Sequence, residues 1–65
     1  MNFSIEFEIE DDGRWIAEIP QLPGVMVYGA TREEARARVE ALALRVLADQ
    51  IEQNSSAVES ISFAA

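Results

Sequence analysis

The sequence predicts an α+β domain of element order β-β-β-α-β, on three observations. Phe3, Ile5, Phe7 and Ile9 alternate with Ser4, Glu6, Glu8 and Glu10, a period of two that marks a strand with one buried and one wet face. From Ala35 the apolar positions Val39, Leu42, Ala43, Val46, Leu47 and Ile51 recur at intervals of three and four, the stripe of an amphipathic helix. Between them, Asp11-Asp12-Gly13 and the Pro20 to Gly24 segment divide the chain into further short strands.

The first turn sets a register. If Asp11, Asp12 and Gly13 all form the loop, with Gly13 in the left-handed region, Ile9 faces Trp15, Phe7 faces Ala17 and Ile5 faces Ile19. A two-residue Asp12-Gly13 loop sets Phe7 against Glu18 and mixes the faces, so the three-residue loop is expected. It places Glu6 opposite Glu18 on the wet face, a like-charge pair that costs a few tenths of a kcal/mol unless a cation approaches. Trp15, opposite Ile9, is expected in the core or at its rim, with a subunit contact as the alternative.

Pro20 and Pro23 force the chain out of the ladder, and Gly24 permits its return. Val25 to Tyr28 read as a third strand, broken by Gly29-Ala30. Thr31 and Glu34 form a capping box, with the Thr31 hydroxyl on the amide of residue 34 and the Glu34 carboxylate returning to the amide of residue 31. Glu33 and Glu34 suit the positive end of the helix dipole. Glu34 with Arg38, Arg36 with Glu40 and Arg45 with Asp49 are four apart on the exposed side, so the arginines read as solvated and structural. Asn54-Ser55-Ser56 ends the helix. Ala57 to Phe63 read as a last strand with Ile61 and Phe63 on one face, a parity that Val58 does not fit.

A helix joining the third strand to the fourth is a crossover, and its right-handedness returns the last strand parallel to the first. The expected sheet is four-stranded, of order 3-2-1-4, with one helix packed on one face and the first strand central beneath the helical stripe. The opposite face carries Glu6, Glu8, Glu10, Ile16 and Glu18 with no second layer over it. That bare face is the expected docking surface, against the plainer reading of a solvated one.

Composition narrows the chemistry. The 65 residues hold one small domain, whose core rarely contributes more than roughly 3 to 5 kcal/mol unaided, so association is expected. Without Cys or His there are no disulfides, thiolate or imidazole metal ligands, cysteine nucleophiles or histidine bases. No cofactor, metal or catalytic site is expected. Twelve acidic residues against five arginines give a net charge of −7, which repels a phosphate backbone, so direct nucleic-acid binding is disfavoured. Neither a signal peptide nor a membrane span is visible, and a cytoplasmic location is expected.

The series formed by an Asp-Gly turn, Trp15-Ile16-Ala17-Glu18-Ile19-Pro20, Leu22-Pro23-Gly24, Gly29, Thr31 and Glu34-Ala35 resembles the N-terminal domain of the HicB family of antitoxins. The resemblance covers roughly residues 5 to 50 and implies a shortened, partial RNase H-like core. It also implies binding and masking of a HicA toxin, a small basic ribonuclease that cuts mRNA. Many family members carry a C-terminal DNA-binding module; none is visible before Ala65, so the repressor role is not carried over. The resemblance supplies no contact motif, and Glu6, Glu8, Glu10, Ile16 and Glu18 are partner-binding candidates on charge and exposure alone. An electrostatic match of this kind raises association rates.

Two other readings follow from the same residues. An orphan homo-oligomeric regulatory domain would keep the fold without a toxin. A metal-dependent RNase H-like nuclease would need carboxylates from separate elements converging within about 4 Å of two ions, whereas same-face neighbours in a strand stand about 7 Å apart in a row. A homodimer is expected in either binding reading, pairing through the open edge of the third or the fourth strand.

Overall fold

The structure, a computed structural model, describes residues 1–65. Five short strands and one long helix follow one another as β1 (Asn2–Ser4), β2 (Glu6–Ile9), β3 (Trp15–Glu18), β4 (Met26–Gly29), α1 (Arg32–Asn54) and β5 (Ser62–Ala64). The α+β class is as expected, but the single four-stranded 3-2-1-4 sheet is not. Strands β2, β3 and β4 form a three-stranded antiparallel sheet, and β1 pairs separately with β5 in a parallel two-stranded sheet.

Ile5 marks the division. Its amide donates to Ala64 at 2.7 Å, and the antiparallel ladder beside it stops at Glu6 and Glu18. The next hydrogen-bonded pair of that ladder would join Ser4 to Pro20, which has no amide to offer. On the other side β5 is only three residues, not the seven from Ala57 to Phe63, and reaches no further than Asn2–Ser4 and Ile5. Phe3 stacks on Phe63 across that parallel pair, ring centroids 5.8 Å apart.

The expected hairpin register holds. Ile9 pairs with Trp15, Phe7 with Ala17 and Glu6 with Glu18. The Glu10 amide donates to the Arg14 carbonyl at 2.8 Å, Gly13 donates back to Glu10 at 2.9 Å, and Gly13 has φ 88°. Asp12 completes the turn by accepting the Arg14 amide at 3.0 Å, so the loop leaves that donor satisfied. The Pro20–Gly24 turn does more than reverse the chain. It buries Leu22 and Val25 beside Ile19, and Gln21 reaches back to the Ser4 hydroxyl at 2.9 Å.

The helix packs on β3 and β4 rather than on the first strand. Its buried positions are Ala35, Val39, Ala43 and Leu47, with Leu42 and Val46 half-buried at the margins. This shifts the core: Phe3, Ile5, Ala17 and Ile19 are enclosed, Phe7 is half-buried, and Ile9 is 58% exposed. The expectation that all four odd-numbered residues lie beneath the helix is therefore corrected at its outer end. Arg32, at the start of α1, lays its guanidinium 4.1 Å from the Phe7 ring centroid and covers what the helical stripe does not.

The helix start is held by the Thr31 hydroxyl, which accepts from the Glu34 amide at 3.1 Å. The Glu34 carboxylate returns to the Ala30 amide at 3.2 Å, one residue earlier than expected, and also pairs with Arg38. Arg36 pairs with Glu40 as expected, whereas Asp49 accepts from Gln53 and makes no ion pair with Arg45. Ser55, at φ 50°, ends the helix in the left-handed region.

Gly29 breaks no strand; it is the last residue of β4, and its role is close approach. A Cβ there would lie 2.5 Å from the Ala35 nitrogen and 2.9 Å from its Cα. Backbone cannot swing aside as a flexible side chain can, so Gly29→Ala is expected to lower stability by about 1–3 kcal/mol, read as a reduced urea midpoint. A midpoint equal to that of the unmodified chain contradicts this packing.

Candidate functional site

The alternation of the three-stranded sheet sorts its residues onto two faces. Phe7, Ala17 and Val27 form one cross-strand row toward α1, as do Ile9, Trp15 and Gly29. The outer face carries the rows Glu8, Ile16, Tyr28 and Glu6, Glu18, Met26. No second layer of secondary structure packs on it.

Of the five candidates read from the sequence, Glu6, Glu8, Ile16 and Glu18 are brought together around one shallow depression, which Phe7 also lines. Glu10 is not among its lining residues; it sits at the end of the ladder, half-buried, bonded through its backbone to Arg14. Ile16 is half-buried between the acidic neighbours, and the face continues across the sheet into Met26, 47% exposed, and Tyr28, 38% exposed. Met26 and Tyr28 were missed as site residues. Their signal was the same period of two, since they alternate with the inward Val25 and Val27.

The glutamates on this face take part in no ion pair. The ion pairs of the chain are Arg14 with Asp12, Arg36 with Glu40 and Arg38 with Glu34, none involving Glu6, Glu8, Glu10 or Glu18. Glu6 stands directly opposite Glu18 with no cation between them. Arg14 reaches this face, but it engages Asp12 and Tyr28 and not the face's glutamates. Its guanidinium lies 4.6 Å from the Tyr28 ring centroid while its Nε bonds Asp12 at 2.7 Å. Arg38 donates to the Tyr28 carbonyl at 2.9 Å from the edge of β4. Arg14, Arg32, Arg36 and Arg38 are thus engaged by rings, carbonyls or carboxylates, whereas Arg45 makes no ion pair.

No group of three or more Asp or Glu side chains converges on a point that would hold a metal ion. The carboxylates instead line up along two strands, beside Ile16, Met26 and Tyr28. No helix is long and apolar enough to cross a membrane. Comparisons with protein-family models, curated proteins and solved structures found no match for this chain.

The Arg14 backbone amide holds the Asp12 carboxyl below the usual carboxylate range, opposed by desolvation and aided by the Arg14 guanidinium. Lowered in the folded state, this carboxyl stabilises the hairpin above its unfolded pKa, and the contribution is lost as pH falls through the folded value. An NMR titration of Asp12 is expected to inflect below the free-peptide value and to move part of the way back in Arg14→Ala, where the backbone donor persists. A titration that ignores Arg14→Ala contradicts the pairing.

Proposed function

We propose that the chain is an antitoxin-like binding module that uses the outer face of its three-stranded sheet to mask a small basic ribonuclease of the HicA type. The observation that carries this reading is the concentration of Glu6, Glu8 and Glu18, none in an ion pair, around exposed apolar side chains on an uncovered sheet face. An RNA-cutting protein presents cationic residues to its substrate, and an anionic face with an apolar centre is complementary to such a surface. The net charge of −7 favours the same class of partner and disfavours RNA itself. The HicB-like series from Trp15 to Ala35 names the partner family, and the position of Ile16 and Glu18 within that series puts part of it on the proposed face.

The test uses charge reversal. Glu6→Lys, Glu8→Lys and Glu18→Lys together are expected to weaken binding of a HicA-type protein, measured by calorimetry at low salt, by about a hundredfold or more. Glu6→Lys alone is expected to raise fold stability by about 0.2–1 kcal/mol, because it turns the opposed Glu6 and Glu18 into an attractive pair. Opposite signs for stability and binding are the signature of a functional surface; unchanged binding in the triple variant sinks the proposed face.

A homodimer is part of the same reading, through β4. Met26, Val27, Tyr28 and Gly29 carry no charge, so two copies can pair across a two-fold axis at this edge without opposing like charges. Arg38 must then release the Tyr28 carbonyl. Sedimentation at micromolar concentration is expected to give twice the 7.2 kDa chain mass, and a strict monomer contradicts it.

A further inference from the structure

Strand β2 lies at an edge of its sheet, with β3 as its one neighbour. The bond from the Glu10 amide to Arg14 fixes which residues face that neighbour. Antiparallel pairs alternate, so Glu8 and Glu6 exchange bonds with Ile16 and Glu18, and the amides and carbonyls of Phe7 and Ile9 point the other way. That is the side on which Ile5 meets Ala64, but β5 pairs no further along. Within residues 1–65, Phe7 and Ile9 therefore present two donors and two acceptors that no strand pairs. Ile9, 58% exposed, adds an apolar side chain on the helix side of the same edge, and Glu6 and Glu8 stand on the other.

We propose that this edge is a strand-addition site that takes an extended, basic-apolar segment of a partner protein. Backbone pairing at Phe7 and Ile9 supplies the attachment, and the side chains select the occupant. A segment alternating cationic and apolar residues sets its cations beside Glu6, Glu8 and Glu10 and its apolar residues over Ile9, the Phe7 ring being covered by Arg32. A second copy of this chain is rejected by the same rule. Pairing β2 with its own copy in antiparallel fashion about Glu8 opposes Glu8 to Glu8 and Glu6 to Glu10, a row of like charges. The neutral β4 edge carries no such penalty, so the two edges of one sheet are chemically different. The inference deepens the acidic docking reading, since β2 contributes Glu6, Phe7 and Glu8 to the depression on that face.

The experiment follows amide exchange by NMR in the full 65-residue chain, with a seven-residue peptide alternating lysine and valine as the probe. Saturating peptide is expected to slow exchange of the Phe7 and Ile9 amides by about tenfold or more, with less effect at high salt and none from a glutamate-valine counterpart. Chemical synthesis of the chain with a methylated Ile9 nitrogen removes one edge donor, and peptide affinity is expected to fall about tenfold. Three results overturn the proposal: no binding at millimolar peptide, binding that shifts Ile16 and Tyr28 without protecting Phe7 and Ile9, or protection that grows with protein concentration in the absence of peptide. The last would make a second copy the occupant. A HicA-type protein that binds without protecting these amides removes the strand-addition site and keeps the toxin reading; a peptide that adds while no HicA-type protein binds does the reverse.

Discussion

The register of the β2–β3 hairpin is the constraint on which the rest depends. Because side chains alternate along a strand, a slip of one residue would send Phe7 and Ile9 to the outer face and bring Glu6 and Glu8 against the helix. The three-residue turn prevents this by satisfying its own donors: Gly13 bonds Glu10, and Asp12 takes the amide of Arg14. Once Ala17 is locked opposite Phe7, β4 follows with Val27 beside Ala17 and Gly29 beside Trp15. Gly29 then sits where the helix backbone at Ala35 comes closest, so the turn at one end of the sheet determines where the helix can dock.

A consequence is an uneven distribution of charge. Arg32 and Arg14 stack on Phe7 and Tyr28, Arg36 and Arg38 bond helix glutamates and strand carbonyls, and the outer-face glutamates keep no cation. Small domains have little stability to spare, and an opposed Glu6–Glu18 pair spends some of it. This opposed pair is a cost to the fold that a cation docking on the face would relieve, and the proposed binding rests on it. The open β2 edge continues that logic in the backbone.

Most of the local structure was legible because it rests on short-range rules. The alternation of Phe3 to Ile9, the loop ending at Gly13, the Thr31 cap and the helix stop at Ser55 each follow from a few neighbouring residues. What was not legible is how far each pairing extends. The break at Ile5 depends on Pro20 withdrawing an amide from across the sheet and on β5 being three residues long, and neither is visible from the first strand. Exposure of Ile9 depends on the helix crossing β3 and β4 instead of β2, a placement set by Gly29 and Ala35. The site was read by half. Glu6, Glu8, Ile16 and Glu18 fell together because they share one hairpin, whereas Met26 and Tyr28 join them through the register of β4 on β3, two strands the sequence sets side by side without fixing which residues face each other.

Contacts between Hα protons across the sheet test the register most directly, since facing residues in non-hydrogen-bonded antiparallel pairs bring their Cα atoms to about 4.5 Å. Strong NMR contacts are predicted for Phe7 with Ala17, Ile9 with Trp15, Ile16 with Tyr28 and Glu18 with Met26. Contacts joining Glu8 to Ala17, or Ile16 to Val27, would show a shifted ladder and place the acidic rows elsewhere, contradicting both the bare anionic face and everything built on it.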